Sequence, residues 1–374
     1  MKKTLIALAV AALPVAAVAD VTLFGDIKGG VEYSKVSGVD NTITNINDFD
    51  SSFGIKGHEH LGNGISTIWQ VQQTVSLDSK SKDNDRFGNK ETFIGLETPY
   101  GTLRAGNVSN QFNSDMDTLN KWTASDGSTA KLGSTFGRTS RRHTAVRYDT
   151  PVIAGFSGNV LYAPSDNKRY DQARQGGNAT GKAVDPNGDI LNDDVLNNLC
   201  DNATYGLTTV VAGGVACAAP NLNTVTDHKS AIAVGLNYAN AGFFVKYGYE
   251  REDNKTGAGT GVYQAHRIEG GYDANNLFVG LGYQFTKDEW GDGSKSQEAA
   301  LTVAYTFGNI TPKLSYATGW KDYDYSQVIV GVDYALSKRT TASLAGAYYK
   351  QKEAGVGGAD AKITTVNVGL RHLF

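Results

Sequence analysis

From Asp20 to its last residue, Phe374, this chain is dominated by segments in which apolar and polar side chains alternate one by one. Between Asp20 and Lys35, Val21, Leu23, Gly25, Ile27, Gly29, Val31 and Tyr33 share one parity, and Thr22, Asp26, Lys28 and Glu32 share the other. Leu277, Val279, Leu281, Tyr283 and Phe285 alternate with Gly280, Gly282 and Gln284, and only Phe278 breaks the pattern. Val328, Val330, Val332 and Tyr334 do the same against Gly331 and Asp333. A period of two gives a β-strand one apolar and one polar face, and helical spacing fits none of these stretches.

Counting such segments predicts sixteen strands, near 20–35, 51–61, 64–77, 88–98, 101–109, 140–150, 154–163, 228–239, 242–252, 262–273, 276–287, 296–307, 311–321, 326–335, 340–352 and 362–374. Short turns join them at alternate ends: Leu61-Gly62-Asn63-Gly64, Pro99-Tyr100-Gly101, Asn240-Ala241-Gly242, Asp273-Ala274-Asn275, Gly308-Asn309-Ile310 and Ser337-Lys338-Arg339. These are hairpin sequences, rich in residues that accept positive φ. The other joints are longer and polar, at Val36 to Asp50, Asp78 to Gly88 and Pro164 to Lys229. Short turns at one end and long loops at the other mark an outer-membrane barrel. Sixteen strands leave room inside for an aqueous channel rather than a packed interior.

The N-terminus agrees. Lys2 and Lys3 precede an apolar run from Leu5 to Val18, with Ala17-Val18-Ala19 at the expected cleavage site. This is the pattern of a secretory signal peptide over residues 1–19; the run is too short for a membrane helix and contains Pro14. Residues 20–374 then form the barrel domain. No other apolar run approaches membrane length, and the mean hydropathy of −0.32 decides nothing, because half of each barrel strand faces water. The formal net charge of −3, about −5 without Lys2 and Lys3, gives no support to nucleic-acid binding.

Several blocks carry a family resemblance. They are Asp20-Val21-Thr22-Leu23-Phe24-Gly25-Asp26-Ile27-Lys28-Gly29-Gly30-Val31-Glu32, Gly54-Ile55-Lys56-Gly57 running into Leu61-Gly62-Asn63-Gly64, and Ile68-Trp69-Gln70-Val71. Further blocks are Phe93-Ile94-Gly95-Leu96, Val146-Arg147-Tyr148-Asp149-Thr150-Pro151, Tyr305-Thr306-Phe307-Gly308-Asn309-Ile310-Thr311-Pro312, Ser337-Lys338-Arg339-Thr340 and the terminal Gly369-Leu370-Arg371-His372-Leu373-Phe374. With these the chain resembles the general porins of β-proteobacteria, above all the neisserial type. The resemblance implies a homotrimer in the outer membrane, among lipids and lipopolysaccharide, with one pore per subunit for ions and small hydrophilic solutes. It implies no cofactor. The aromatic last strand resembles the sorting signal read by the barrel assembly machinery, which gives Phe374 that role.

The resemblance also implies that the third extracellular loop, 107–139, folds inward and narrows the pore. It holds Asp115, Asp117 and Asp126 with Lys121 and Lys131. Family porins set acidic groups on this loop opposite basic groups on the wall; the wall candidates by parity are Lys28, Lys56, Arg104, Arg141, Arg147 and Arg267. Lys246, Lys313 and Arg371 join them against Asp26, Glu32, Glu250, Glu269 and Asp333, which leans toward a weak anion preference. One departure is Asn107, where neisserial relatives carry an arginine after Leu-Arg-x-Gly.

Other chemistry is weaker. His58-Glu59-His60 lacks the helical spacing of a zincin, and Asp185, Asn187, Asp189 and Asp193 miss the calcium-loop glycine and its closing glutamate, with Leu196 at the twelfth position. No metal site is expected. Gly257, Gly259 and Gly261 sit in no strand-to-helix turn, and no nucleophile elbow appears. Cys200 and Cys217 lie together in the unusually long fourth loop, 164–229, and a disulfide between them is expected in an oxidising compartment. Of three function classes, a passive pore, a barrel enzyme and an adhesin, sixteen strands with one long early loop favour the pore.

Overall fold

The alternation becomes a closed wall in the computed structural model, which describes residues 20–37, 42–78, 87–122, 131–133, 142–164, 211–212, 215–216, 229–256, 259–287, 294–352 and 360–374. Residues 1–19, read above as a signal peptide, together with Asp126, Arg141, both cysteines and most of 164–229, lie outside the described residues. The strands are β1 (Asp20–Val36), β2 (Thr42–Asp48), β3 (Ser52–Gly62), β4 (Ile65–Thr74), β5 (Thr92–Thr98), β6 (Gly101–Ser109), β7 (Arg142–Asp149) and β8 (Phe156–Ala163). After a two-residue hairpin, β9 (Val211–Ala212) and β10 (Val215–Ala216), come β11 (Lys229–Asn240), β12 (Phe243–Thr256), β13 (Gly259–Ala274), β14 (Leu277–Lys287) and β15 (Lys295–Tyr305). The last four are β16 (Ile310–Lys321), β17 (Tyr325–Ala335), β18 (Thr340–Gln351) and β19 (Ala361–Leu373).

Each strand pairs antiparallel with its neighbours, β8 with β11 across the fourth loop, and β1 with β19 from Asp26↔Leu373 to Val36↔Ile363. Seventeen named strands lie in this sheet, yet β2 and β3 both pair with β1, at Gly29↔Asp48 and Asp26↔Ser52, and are two halves of one wall strand. The barrel therefore has sixteen strands. Here the expectation of a polar joint over Val36 to Asp50 is corrected, because residues 42–48 already belong to the wall. Sequence periodicity missed this because Asp50 takes a left-handed φ of 72° and the strand is interrupted at 49–51. The Asp48 carboxylate accepts the Asp50 and Ser51 N–H groups, and Ser51 Oγ bonds both backbone groups of Lys28, so the break stays stitched to β1.

The two faces differ as the pattern demands. Leu23, Ile94, Val245, Leu281, Leu314 and Val330 stand exposed on the outside. Aromatic pairs flank this apolar band near the short turns, Phe156 with Tyr238 at 4.5 Å and Phe243 with Tyr272 at 5.0 Å. Others lie toward the opposite end, Tyr249 with His266 at 4.7 Å and Tyr283 with Trp320 at 6.2 Å. An apolar belt between two aromatic girdles is the outside of a barrel immersed in lipid. Closure leaves no unpaired strand edge in the hydrocarbon, where an unsatisfied backbone group costs several kcal/mol.

The short turns use positive φ as their sequences suggest: Asn275 and Asn276 at 53° and 63°, Ala241 and Gly242 at 51° and 85°. At the seam, Phe374 exchanges two backbone hydrogen bonds with Gly25, of 3.0 and 3.1 Å, and lays its ring where a Gly25 Cβ would stand. Gly25→Val should therefore push Phe374 off the seam. Its folded fraction after refolding, read from heat-modifiable electrophoretic migration, is expected to fall well below wild type, with Gly25→Ala between the two.

Candidate functional site

The inner parity of the wall is polar, and one segment lies against it. After β6 the chain turns at Asn110, whose Oδ1 accepts the Asn113 N–H at 2.9 Å and caps the single-turn helix α1 (Gln111–Ser114). Beyond α1, Phe112, Met116, Leu119 and Trp122 are buried, and so is Leu132. Phe112 and Met116 pack with Tyr263 and Ala265 of β13, while Leu119, Trp122 and Leu132 pack with Phe244, Phe278, Ala300, Ala317 and Ile329 on β12 to β17. The segment thus rests on inward-facing side chains of strands far from its own in sequence. Phe278, which breaks the alternation of β14, is one of its supports: it lies inward, beneath the Lys121 ammonium at 3.9 Å.

Glycines make the seat. A Cβ on Gly248 would stand 2.6 Å from the Phe112 ring and 2.7 Å from Met116 Sδ, and one on Gly280 would collide with Leu119. Inner-parity glycine is therefore space for the segment, a signal visible in the sequence only once the segment's position is known.

Polar contacts fix the seat further. Trp122 Nε1 donates to Ser315 Oγ at 2.8 Å, and Gln327 clamps the Leu132 end, accepting from the Gly133 N–H and donating to the Lys131 carbonyl, both at 2.8 Å. Three wall cations donate to backbone carbonyls of the segment: Arg267 to Met116 at 2.9 Å, Lys246 to Asp115, and Lys313 to Lys121 at 2.7 Å. Arg147 donates to the Ser109 carbonyl and Ser114 Oγ, both at 2.7 Å.

The basic wall residues divide accordingly. Arg147 and Arg267 lie on the inner face, but both are 2 % exposed. Arg147 joins Asp149 at 2.6 Å and Asp115 at 3.1 Å; Arg267 joins Gln284 at 2.8 Å and Glu269 at 3.4 Å. Their charge is spent on holding the segment, a role that parity alone did not suggest. Arg104 bonds Asp149 at 2.7 Å and Glu91 at 3.4 Å. Arg371 binds Asp26 through two hydrogen bonds of 2.8 and 2.9 Å, with Lys28 3.6 Å from the same carboxylate. Lys56 is different: it is exposed, 5.5 Å over the Phe24 ring, and makes no ion pair among the described residues. On the segment, Lys121 approaches Asp273 at 3.4 Å and Asp117 is exposed.

Sequence reasoning missed Lys90 and Glu91, in the joint before β5. Lys90 meets Asp50 at 2.7 Å; burial lowers its pKa from the usual ammonium value, and the Asp50 carboxylate offsets part of that. Asn107, the departure from the neisserial pattern, donates to the Lys90 carbonyl at 2.5 Å and ties this joint to β6. His58 and His60 meet edge to face at 4.4 Å, with Ser66 3.0 Å from His60 and Glu97 3.9 Å from His58.

Trp122→Ala removes a buried indole and its hydrogen bond to Ser315, a change worth about 3–5 kcal/mol in a packed core. The cost falls on docking of the segment, not on the closed sheet. Tryptic cleavage after Lys121 or Lys131 is expected to accelerate at least tenfold while far-ultraviolet circular dichroism stays unchanged.

Known proteins share this architecture. A family model described as Gram-negative porin matches residues 4–354. Over the full length of both chains the protein is 37% identical to major outer membrane protein P.IB of Neisseria sicca and 34% identical to major outer membrane protein P.IA of Neisseria meningitidis serogroup C. Among solved structures, an anion-selective porin from Comamonas acidovorans superposes with a TM-score of 0.67 at 19% identity, covering 95% of this chain and all of the other. OmpF of Salmonella typhi, in complex with daunomycin, superposes with a TM-score of 0.61 at 12% identity, covering 95% and 97%. The protein is an outer-membrane β-barrel of a Gram-negative bacterium and belongs to the Gram-negative porin family, whose members are channels and not enzymes.

Proposed function

We propose that this porin is a water-filled channel for passive diffusion of ions and small hydrophilic solutes, narrowed by the loop 107–139 and weakly selective for anions. The observation that carries the reading is the segment Asn110–Trp122 seated on the polar inner face by Arg147, Lys246, Arg267 and Lys313. A segment fixed in this way reduces the bore of a sixteen-stranded barrel without sealing it. The bridge between Arg147 and Asp115 joins the basic wall to the acidic loop at one place, and Asp117 is the exposed acidic group of the segment. Asp126 and Arg141 complete the proposed charged lining.

The anion preference rests on Lys56, an exposed lumen cation without an ion pair among the described residues, and on Lys28 and Arg371, two cations that share the single Asp26 carboxylate. The Comamonas relative in fold is itself described as anion-selective. We further propose a homotrimer, assembled through the barrel assembly machinery with Phe374 in its recognition strand, and set among lipopolysaccharide and lipid. The fourth loop, closed by a Cys200–Cys217 disulfide, belongs to the surface-exposed part of this reading.

Current recorded across a planar bilayer in a salt gradient tests it. Wild-type insertions are expected to close in thirds, with a zero-current potential on the anion side. A unit charge about 8 Å from a passing ion is worth about 0.5 kcal/mol in water-like surroundings. Lys56→Glu, a two-unit change, moves cation and anion by about 1 kcal/mol each in opposite senses and should shift the permeability ratio about thirtyfold toward cations at low salt, and less at 1 M. An unchanged ratio at low salt removes Lys56 from the selectivity.

A further inference from the structure

Among the described residues one group of metal-ligating side chains comes together beside the root of the segment: His143 on β7 with Glu250 and Glu252 on β12. All three are buried, at 2 %, 0 % and 8 % exposure, and one ligand atom from each lies within 4.8 Å of the others. The two strands are not neighbours, since β8 and β11 run between them. His143 nevertheless reaches Glu250, Nε2 to Oε1 at 2.6 Å. Space for this comes from the small inward residues of the intervening strands, Ala163, Ala231 and Ala233, which are buried there.

We propose that His143, Glu250 and Glu252 form a binding site for a divalent first-row transition ion such as Zn2+. One imidazole nitrogen and two carboxylate oxygens, converging from one side, are a donor set that Zn2+ accepts, with water completing a tetrahedron. Bond lengths of about 2.0–2.2 Å put neighbouring ligand atoms about 3.3 Å apart, so side-chain rotations close the set from the spacing present. Glu252 follows Glu250 by two residues on one strand, which turns both carboxylates to the same face. The remaining oxygen of Glu250 accepts a hydrogen bond from Asn110 Nδ2, the kind of outer contact that orients a ligating carboxylate.

Position gives the site a consequence. Asn110 is the residue at which the inward segment leaves β6, and it also caps α1. An ion at this place cross-links β7 to β12 across two strands and, through Asn110 on Glu250, steadies the root of the segment.

Isothermal titration of Zn2+ into the refolded barrel, prepared without a histidine tag, tests the site at pH 7. One ion per chain is expected, with affinity lowered tenfold or more in both His143→Gln and Glu252→Gln, and retained in His58→Gln. Both variants are first shown to be folded by heat-modifiable migration; Glu252→Asp serves as a milder second probe if Glu252→Gln fails to fold. No saturable binding below millimolar Zn2+, or binding that His143→Gln leaves intact, overturns the proposal. Conductance without added metal is a separate readout, so either result leaves the channel reading where it stands.

Discussion

Everything in this structure follows from the lack of hydrogen-bonding partners for backbone groups in hydrocarbon. A chain that crosses with strands must pair every edge, and the β1–β19 seam, sealed by Phe374 and Gly25, is where that requirement is met. Closure then imposes the period of two. Leu281 and Val330 face outward, while Gln284 and Asp333 of the same strands lie on the inner parity. A hollow interior is the second consequence, since sixteen strands enclose more volume than their own side chains fill.

Among the described residues, what occupies that interior is one segment whose hold on the wall is partly apolar and partly ionic. Its buried side chains, from Phe112 to Leu132, rest on glycine and alanine positions of the inner face, and its carbonyls accept from Arg267, Lys246 and Lys313. Cations engaged in this way are not available to passing solutes. Such cations cannot also bind a solute directly, whereas Lys56 and Asp117 are exposed among the described residues, so the number of basic residues on the wall overstates the groups open to contact.

The sixteen wall strands were legible in the sequence because alternation against lipid is a local pattern, readable without knowing what lies opposite. It failed where the backbone itself departs from the pattern: at Asp50 a left-handed turn splits a strand, and residues 42–48 read as loop. The inner parity of Arg147 and Arg267 was also legible. Their partners were not, because pairs such as Trp122 with Ser315 join residues 193 apart, and nothing local records that meeting. Phe278 and the glycines at 248 and 280 show the same limit. They read as blemishes in an alternating strand until the segment they support is in place.

Polymer exclusion reads the bore of a water-filled lumen narrowed by a seated segment. Single-channel conductance is recorded with poly(ethylene glycol) of increasing size in the bath. Small polymers are expected to enter and depress the current, with a sharp cutoff above which conductance recovers, and the cutoff is expected to move to larger polymers when the segment is shortened between Lys121 and Lys131. A folded, inserted barrel that carries no current, or one whose cutoff ignores the shortened segment, would contradict the account.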